Sequence, residues 1–180
     1  MGEQHDELVG EVLLSEEQIR ERIVEMGAEI ARDYADKEPI LVAVLKGAFI
    51  FMADLARAVQ IPLEVDFMAV SSYGASTRSS GVVRIVKDLD IDLHGRHVII
   101  VEDIVDSGLT LRYLRKTLQS RGTASLEVCA LLVREGNQQA ELDLKYIGFR
   151  IPPAFVIGYG LDVAERYRNL PNIAGYEGDE

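Results

Sequence analysis

Residues 98–110 read V-I-I-V-E-D-I-V-D-S-G-L-T, and the pattern L-R-Y-L-R-K-T-L-Q-S-R-G follows at once. Val98, Ile99, Ile100 and Val101 form a β-branched run with no polar member, which predicts a parallel strand buried on both faces. The polarity then inverts. Glu102 and Asp103 come at the carboxyl end of the run, and Asp106, Ser107, Gly108 and Thr110 make a short loop that opens a helix, closed about four turns later by Gly122. In an open α/β sheet, the crevice beyond the carboxyl ends of the strands is where ligands bind.

The residue types narrow the ligand. A glycine between hydroxyls at a helix N-terminus offers free N–H groups and a positive dipole end, which suits a phosphate. Two adjacent carboxylates repel that phosphate unless they hold something else, and sugar hydroxyls or a divalent cation fit. The loop therefore reads as a site for a phosphorylated sugar. The common nucleotide fingerprints G-x-x-x-x-G-K-[ST] and G-x-G-x-x-G occur nowhere in the chain.

Working outward, I-L-V-A-V-L at 40–45 is a second run of the two-face-buried kind, and Lys46-Gly47 turns it into the helical pattern A-F-I-F-M-A-D-L-A-R-A-V. Upstream, Ser15 followed by Glu16, Glu17 and Gln18 predicts a helix N-cap, with Ile19, Ile23, Met26 and Ile30 on one face. A short strand is expected at Val12–Leu14, with frayed residues before it. L-E-V-D-F-M-A-V and V-V-R-I-V-K-D are strands flanking S-S-Y-G-A-S-T-R-S-S-G, a polar tip expected to move. His94 and His97 read as turn residues and not as zinc ligands. S-L-E-V-C-A-L-L-V is a further buried strand, in which Cys129 is a small hydrophobe.

The stretch 98–110 resembles the phosphoribosyl-diphosphate (PRPP) signature of the type I phosphoribosyltransferases, most closely that of their hypoxanthine-guanine branch. The resemblance runs from about Val12 to Pro171 and is most specific at the signature. It implies an α/β fold: a mainly parallel, twisted sheet flanked by helices, under a small hood made by the C-terminal segment and an N-terminal strand. One domain is expected over 1–180, with its core at about 16–150 and its hood at about 12–15 and 151–180.

The resemblance also assigns roles. It implies that Glu102, Asp103, Asp106, Ser107, Gly108, Leu109 and Thr110 bind PRPP and its ribose phosphate, with Asp106 as the catalytic base or hydrogen-bond partner of the purine N7. Lys46, Gly47 and Arg168 correspond to diphosphate-binding positions, and Ser72 and Tyr73 to the start of a lid. Arg134, Phe155, Val156 and Asp162 correspond to purine-site positions, and Glu102, Asp103 and Asp162 to Mg2+ ligands. Arg134 departs from the family, which carries a Lys that donates to the purine's 6-oxygen; the alternative is a rearranged loop with Arg134 in solvent. The longer planar guanidinium is not a conservative exchange.

The activity so implied is transfer of 5-phosphoribosyl from PRPP to hypoxanthine or guanine. Transfer to xanthine or a pyrimidine, or a PRPP-sensing regulator that binds nucleic acid, are the alternatives. A formal net charge of −11 argues against a sequence-independent nucleic-acid binder. With 48% hydrophobic and 27% charged residues the composition is that of an ordinary globular protein, and no apolar run approaches the ~20 residues of a membrane span. Residues 1–6 resemble neither a leader nor a myristoylation signal, so a cytoplasmic protein without membrane partners is expected, and the resemblance implies a homodimer or homotetramer.

Overall fold

The computed structural model describes residues 7–72, 83–138 and 142–178. Six strands form the main sheet: β2 (Ile40–Leu45), β3 (Glu64–Ser72), β4 (Val83–Lys87), β5 (His97–Val105), β6 (Ser125–Arg134) and β7 (Tyr146–Ile151), in the order β4-β3-β2-β5-β6-β7. All neighbours are parallel except β3 and β4, which pair as an antiparallel hairpin. From β2 the chain proceeds outward to β3 and β4, then returns to lay β5 on the other flank of β2 and proceeds outward again to β6 and β7. The strand order therefore reverses between β2 and β5, where crossover helices leave a crevice.

Alternation along these strands divides the core in two. Leu41, Ala43, Ile99, Val101, Cys129 and Leu131 point to the face covered by α1 (Glu16–Asp33) and α2 (Phe49–Ala58). Ile40, Val42, Val98, Ile100, Val128 and Ala130 point to the other, covered by α3 (Leu109–Gln119) through Leu111, Leu114 and Leu118. Both faces are thus dry, which is why the strands carry unbroken apolar runs; each fully buried Leu or Ile stabilises the fold by about 1.5–3 kcal/mol. The helix α1 starts on the expected N-cap Ser15, which forms a capping box with Gln18, and buries the expected Ile19, Ile23, Met26 and Ile30.

Four local expectations change. The first strand, β1, runs from Val9 to Leu14 and not from Val12, because its whole length pairs antiparallel with β9 (Ile173–Tyr176). With β8 (Val156–Ile157) these form a separate three-stranded sheet, β1-β9-β8, a hood over the crevice. β5 does not stop at Val101; pairing with β6 carries it to Val105, so Glu102 and Asp103 lie inside the strand. His97 is the first residue of that strand, its ring nitrogen 2.7 Å from Ser125 Oγ. Finally, α3 ends at Gln119 with Ser120 as its cap, and Gly122, at φ +77°, turns the chain beyond it.

One buried carboxylate organises the edge of the sheet. Asp66 on β3 accepts from the amides of Phe67 (2.7 Å), Asp90 (2.8 Å) and Ile91 (3.0 Å), tying the 88–91 connection to the sheet. Burial alone raises its pKa, but these amides and the Lys87 ammonium outweigh burial and hold the carboxyl below its ordinary value. Its stabilising contribution is therefore present above the carboxylate range and lost as pH falls through its depressed pKa. Asp66→Asn is expected to cost about 1–3 kcal/mol at neutral pH, with the gap to the parent narrowing as both are acidified. Urea titrations at several pH values measure it, and a gap independent of pH contradicts the account.

Candidate active site

Because Glu102 and Asp103 sit inside β5, alternation sends their side chains to opposite sides of the strand. Each lines a different cavity. Glu102 opens on a pocket of about 220 Å3, walled by Val44, Val105, Asp106, Ser107, Gly108 and Thr110. Asp103 opens on one of about 360 Å3, walled by Lys46, Gly47, Arg134, Phe155, Val156, Asp162 and Arg168. Ile104 borders both, so the two chambers meet at the strand tip.

The smaller chamber is the loop that opens α3. Gly108 is the N-cap at φ +80°, a left-handed conformation that glycine adopts freely, and no side chain caps the helix. With no such cap, the amides of its first turn beyond Leu109 are left for a ligand, the arrangement that binds phosphate at helix N-termini. Leu109 enters through its backbone, its amide donating weakly to Ser107 Oγ at 3.4 Å.

The larger chamber is assembled from three elements. The β2–α2 turn brings Lys46 and Gly47 over the tip of β5, with a cis peptide between Leu45 and Lys46. Gly47 lies so close to Asp103 that a Cβ there would overlap the carboxylate, so any other residue must displace that side chain. From the hood comes Arg168, whose guanidinium donates to the Gly160 carbonyl (2.7 Å) and pairs with Asp162 (3.0 Å) and Glu165 (3.1 Å). Phe155 stands at the rim, 37% exposed, its ring centroid 5.8 Å from that of Tyr176. Val156 is buried and pairs with Gly175 on β9.

Arg134 ends β6 and points inward, not to solvent. Its Nη1 donates to Asp106 Oδ2 at 2.9 Å, while Asn137 donates to Asp106 Oδ1 at the same distance. Asp106 thereby joins the two chambers. The Nε atoms of Arg134 and Arg168 are buried and, among the described residues, without a hydrogen-bond partner. Buried unpaired donors are costly, and both guanidinium-bearing residues line the Asp103 chamber, which suits an anionic or carbonyl-bearing ligand.

The acids carry the complementary cost. Burial, and then the adjacent Asp103, pushes the Glu102 carboxyl well above its ordinary pKa. Burial also raises Asp103, with Asp162 adding to the rise against the Ile104 amide and the Arg168 cation. Carboxyls held above their unfolded pKa destabilise the fold at neutral pH, a cost that ligand hydroxyls or a cation relieve. Among the described residues no three acidic, histidine or cysteine side chains converge as a closed metal cage. Isolated carboxylates match Mg2+, which typically takes one or two of them and fills its shell with water and substrate oxygens.

Most expected site residues are thus brought to one edge of the sheet. Ser72 ends β3, and Tyr73 lies outside the described residues. Two participants escaped the sequence reading. Asn137 looked like one polar residue among many in the loop after β6, and Glu165 like one charge of a mixed run; only an acid three residues before Arg168 could have hinted at the pair.

Comparison with known proteins places the same features in context. The family model for the phosphoribosyl transferase domain matches residues 11–164. A hypoxanthine-guanine phosphoribosyltransferase of Mycobacterium bovis is 55% identical over 90% of this chain and 83% of its own length, and one of Bacillus subtilis is 50% identical over 94% and 93%. Among solved structures, a hypoxanthine phosphoribosyltransferase of Staphylococcus aureus superposes with a TM-score of 0.92 at 44% identity, covering 94% of this chain and 92% of that one. No helix among the described residues is long and apolar enough to cross a membrane.

Proposed function

The chain belongs to the phosphoribosyltransferase family, and on that premise we propose that it transfers a 5-phosphoribosyl group from PRPP to a ring nitrogen of hypoxanthine or guanine, releasing diphosphate. The observation that carries this reading is the pair of chambers meeting at the tip of β5. One offers amides and hydroxyls to a phosphate; the other offers an aromatic rim, two arginines and a lysine to a base and a leaving anion.

In the reaction the bond from the anomeric carbon to the diphosphate oxygen breaks and a bond to the purine nitrogen forms, through a transition state with positive charge on the sugar. Ser107, Thr110 and the amides of Gly108 and Leu109 hold the 5-phosphate, and Glu102 and Asp103 orient the ribose hydroxyls. Lys46, the Gly47 backbone and Arg168 meet the negative charge that develops on the departing diphosphate. Asp106 takes or shares the purine N7 proton. Both its oxygens are occupied in the free protein, and exposed Asn137 is the partner that can yield. Phe155 stacks on the base, Val156 presents backbone to its edge, and Arg134 donates to the 6-oxygen. Glu102 and Asp103, through the ribose hydroxyls, would hold one Mg2+ and Asp162 a second, and the ions would supply charge neutralisation to the diphosphate. A homodimer or homotetramer belongs to the same proposal, and sedimentation velocity reads it directly.

Mixing the protein with PRPP, Mg2+ and one base at a time is the test: hypoxanthine and guanine are expected to give nucleotide and diphosphate, adenine and uracil none. Product from uracil alone, or retention of RNA without any product, favours the alternatives. In the same assay Arg134→Lys is expected to change kcat/KM among 6-oxopurines by about 10-fold or less and to leave KM for PRPP unchanged, since one donor to the base is exchanged for another. Equal ratios for every base would remove Arg134 from base selection.

A further inference from the structure

The hood turn after Asp162 puts an anion where a ligand's charge is expected. Glu165 Oε2 accepts from Lys46 Nζ at 2.9 Å, and Glu165 Oε1 lies 3.1 Å from Arg168 Nη2. One carboxylate therefore spans two of the three cations that line the Asp103 chamber, although 119 residues separate it from Lys46 along the chain. Its position is built. Val163 and Arg166 exchange backbone hydrogen bonds, and the two residues between them, Ala164 and Glu165, both adopt positive φ, +48° and +64°. That is the tight mirror-image turn ordinarily made by Gly, Asn or Asp. The Glu165 amide is tied in turn to Asp162 Oδ2 at 2.8 Å.

The bridge is also easy to displace. The side chains of Lys46 and Glu165 are 66% and 62% exposed, and exposed ion pairs of this kind are weak. A diphosphate brings more charge than one carboxylate and can engage both cations together.

Resting on the reading that Lys46 and Arg168 receive the diphosphate, we propose that Glu165 is an internal competitor for the leaving-group site. Its carboxylate neutralises the two cations in the free enzyme and yields them to PRPP, so that it sets how tightly PRPP and diphosphate are held. Glu165 is on this account a positioning residue for the cations. It takes no part in bond making, and its side-chain partners are Lys46 and Arg168, not the base-contacting Arg134 and Phe155.

Initial rates with diphosphate as inhibitor test the proposal. Glu165→Gln keeps the size and backbone of the residue and removes the charge; it is expected to lower the diphosphate Ki and the PRPP KM by about fivefold, the effect of one exposed ion pair. KM for hypoxanthine should not move, which a general disturbance of the hood would not spare. The gain should shrink in a Lys46→Ala background and in high salt, where exposed charges are screened. Should Glu165→Gln fail to fold, Glu165→Asp, whose shorter reach weakens the bridge, is expected to shift both constants the same way by less. Unchanged or weakened diphosphate inhibition in Glu165→Gln, with Lys46→Ala still weakening it, overturns the competitor and leaves the diphosphate reading standing. Indifference of diphosphate inhibition to both Lys46→Ala and Arg168→Ala removes the reading itself.

Discussion

Asp106→Asn is expected to lower turnover by about 10², the usual contribution of a positioned acid or base, while PRPP affinity stays nearly the same. Asn has the shape of Asp and can keep a hydrogen bond from Asn137 or Arg134, so the loop that opens α3 should hold its form. What it loses is the capacity to accept a proton from the purine. The charge of the Asp106–Arg134 pair, at 2.9 Å, is also lost. Stopped-flow or steady-state rates with saturating PRPP and hypoxanthine measure the effect. A mutant as fast as the parent takes Asp106 out of the chemistry; a mutant that fails only in binding PRPP makes it a phosphate-loop residue.

The second large effect is expected from Arg168→Ala, which should reduce kcat/KM for PRPP by about 10²–10³, the range for removing one pre-organised donor from developing negative charge. Arg168 is anchored from the inside by the Gly160 carbonyl and Asp162 and keeps its Nε buried and unpartnered among the described residues, so it is already oriented before any ligand arrives. Removing it also leaves Asp162, which lines the chamber, without its Arg168 partner, which adds repulsion against the diphosphate. The KM for the base should change little. A comparable loss in base affinity, or none in PRPP kinetics, contradicts the assignment of Arg168 to the leaving group.

How much of this was legible in the sequence depends on whether the cause was local. The V-I-I-V and I-L-V-A-V-L runs announce strands dry on both faces, and Ser15 with Gln18 announces a helix start, because periodicity and capping act within a few residues. The acids, hydroxyls and glycine of 102–110 were legible for the same reason. The true length of β1 was not, since only pairing with β9, some 160 residues away, makes Val9–Glu11 a strand. Nor was the continuation of β5 through Glu102 and Asp103, which its register with β6 imposes; yet that continuation is what parts the two carboxylates between two chambers. Glu165 and Asn137 acquire meaning only from partners brought from β2 and from the signature loop. Arg134 was seen as a departure, but its inward direction needed the structure.

The central claim is that the acid pair and the hydroxyl-bearing turn at the tip of β5 together hold the ribose phosphate of PRPP. Calorimetric titration of the protein with PRPP in the presence of Mg2+ addresses it most directly. The account predicts a saturable heat of binding near one equivalent per chain, sharply weakened in Asp103→Ala and in Thr110→Ala. No heat with the parent protein, or undiminished heat in both variants, contradicts it.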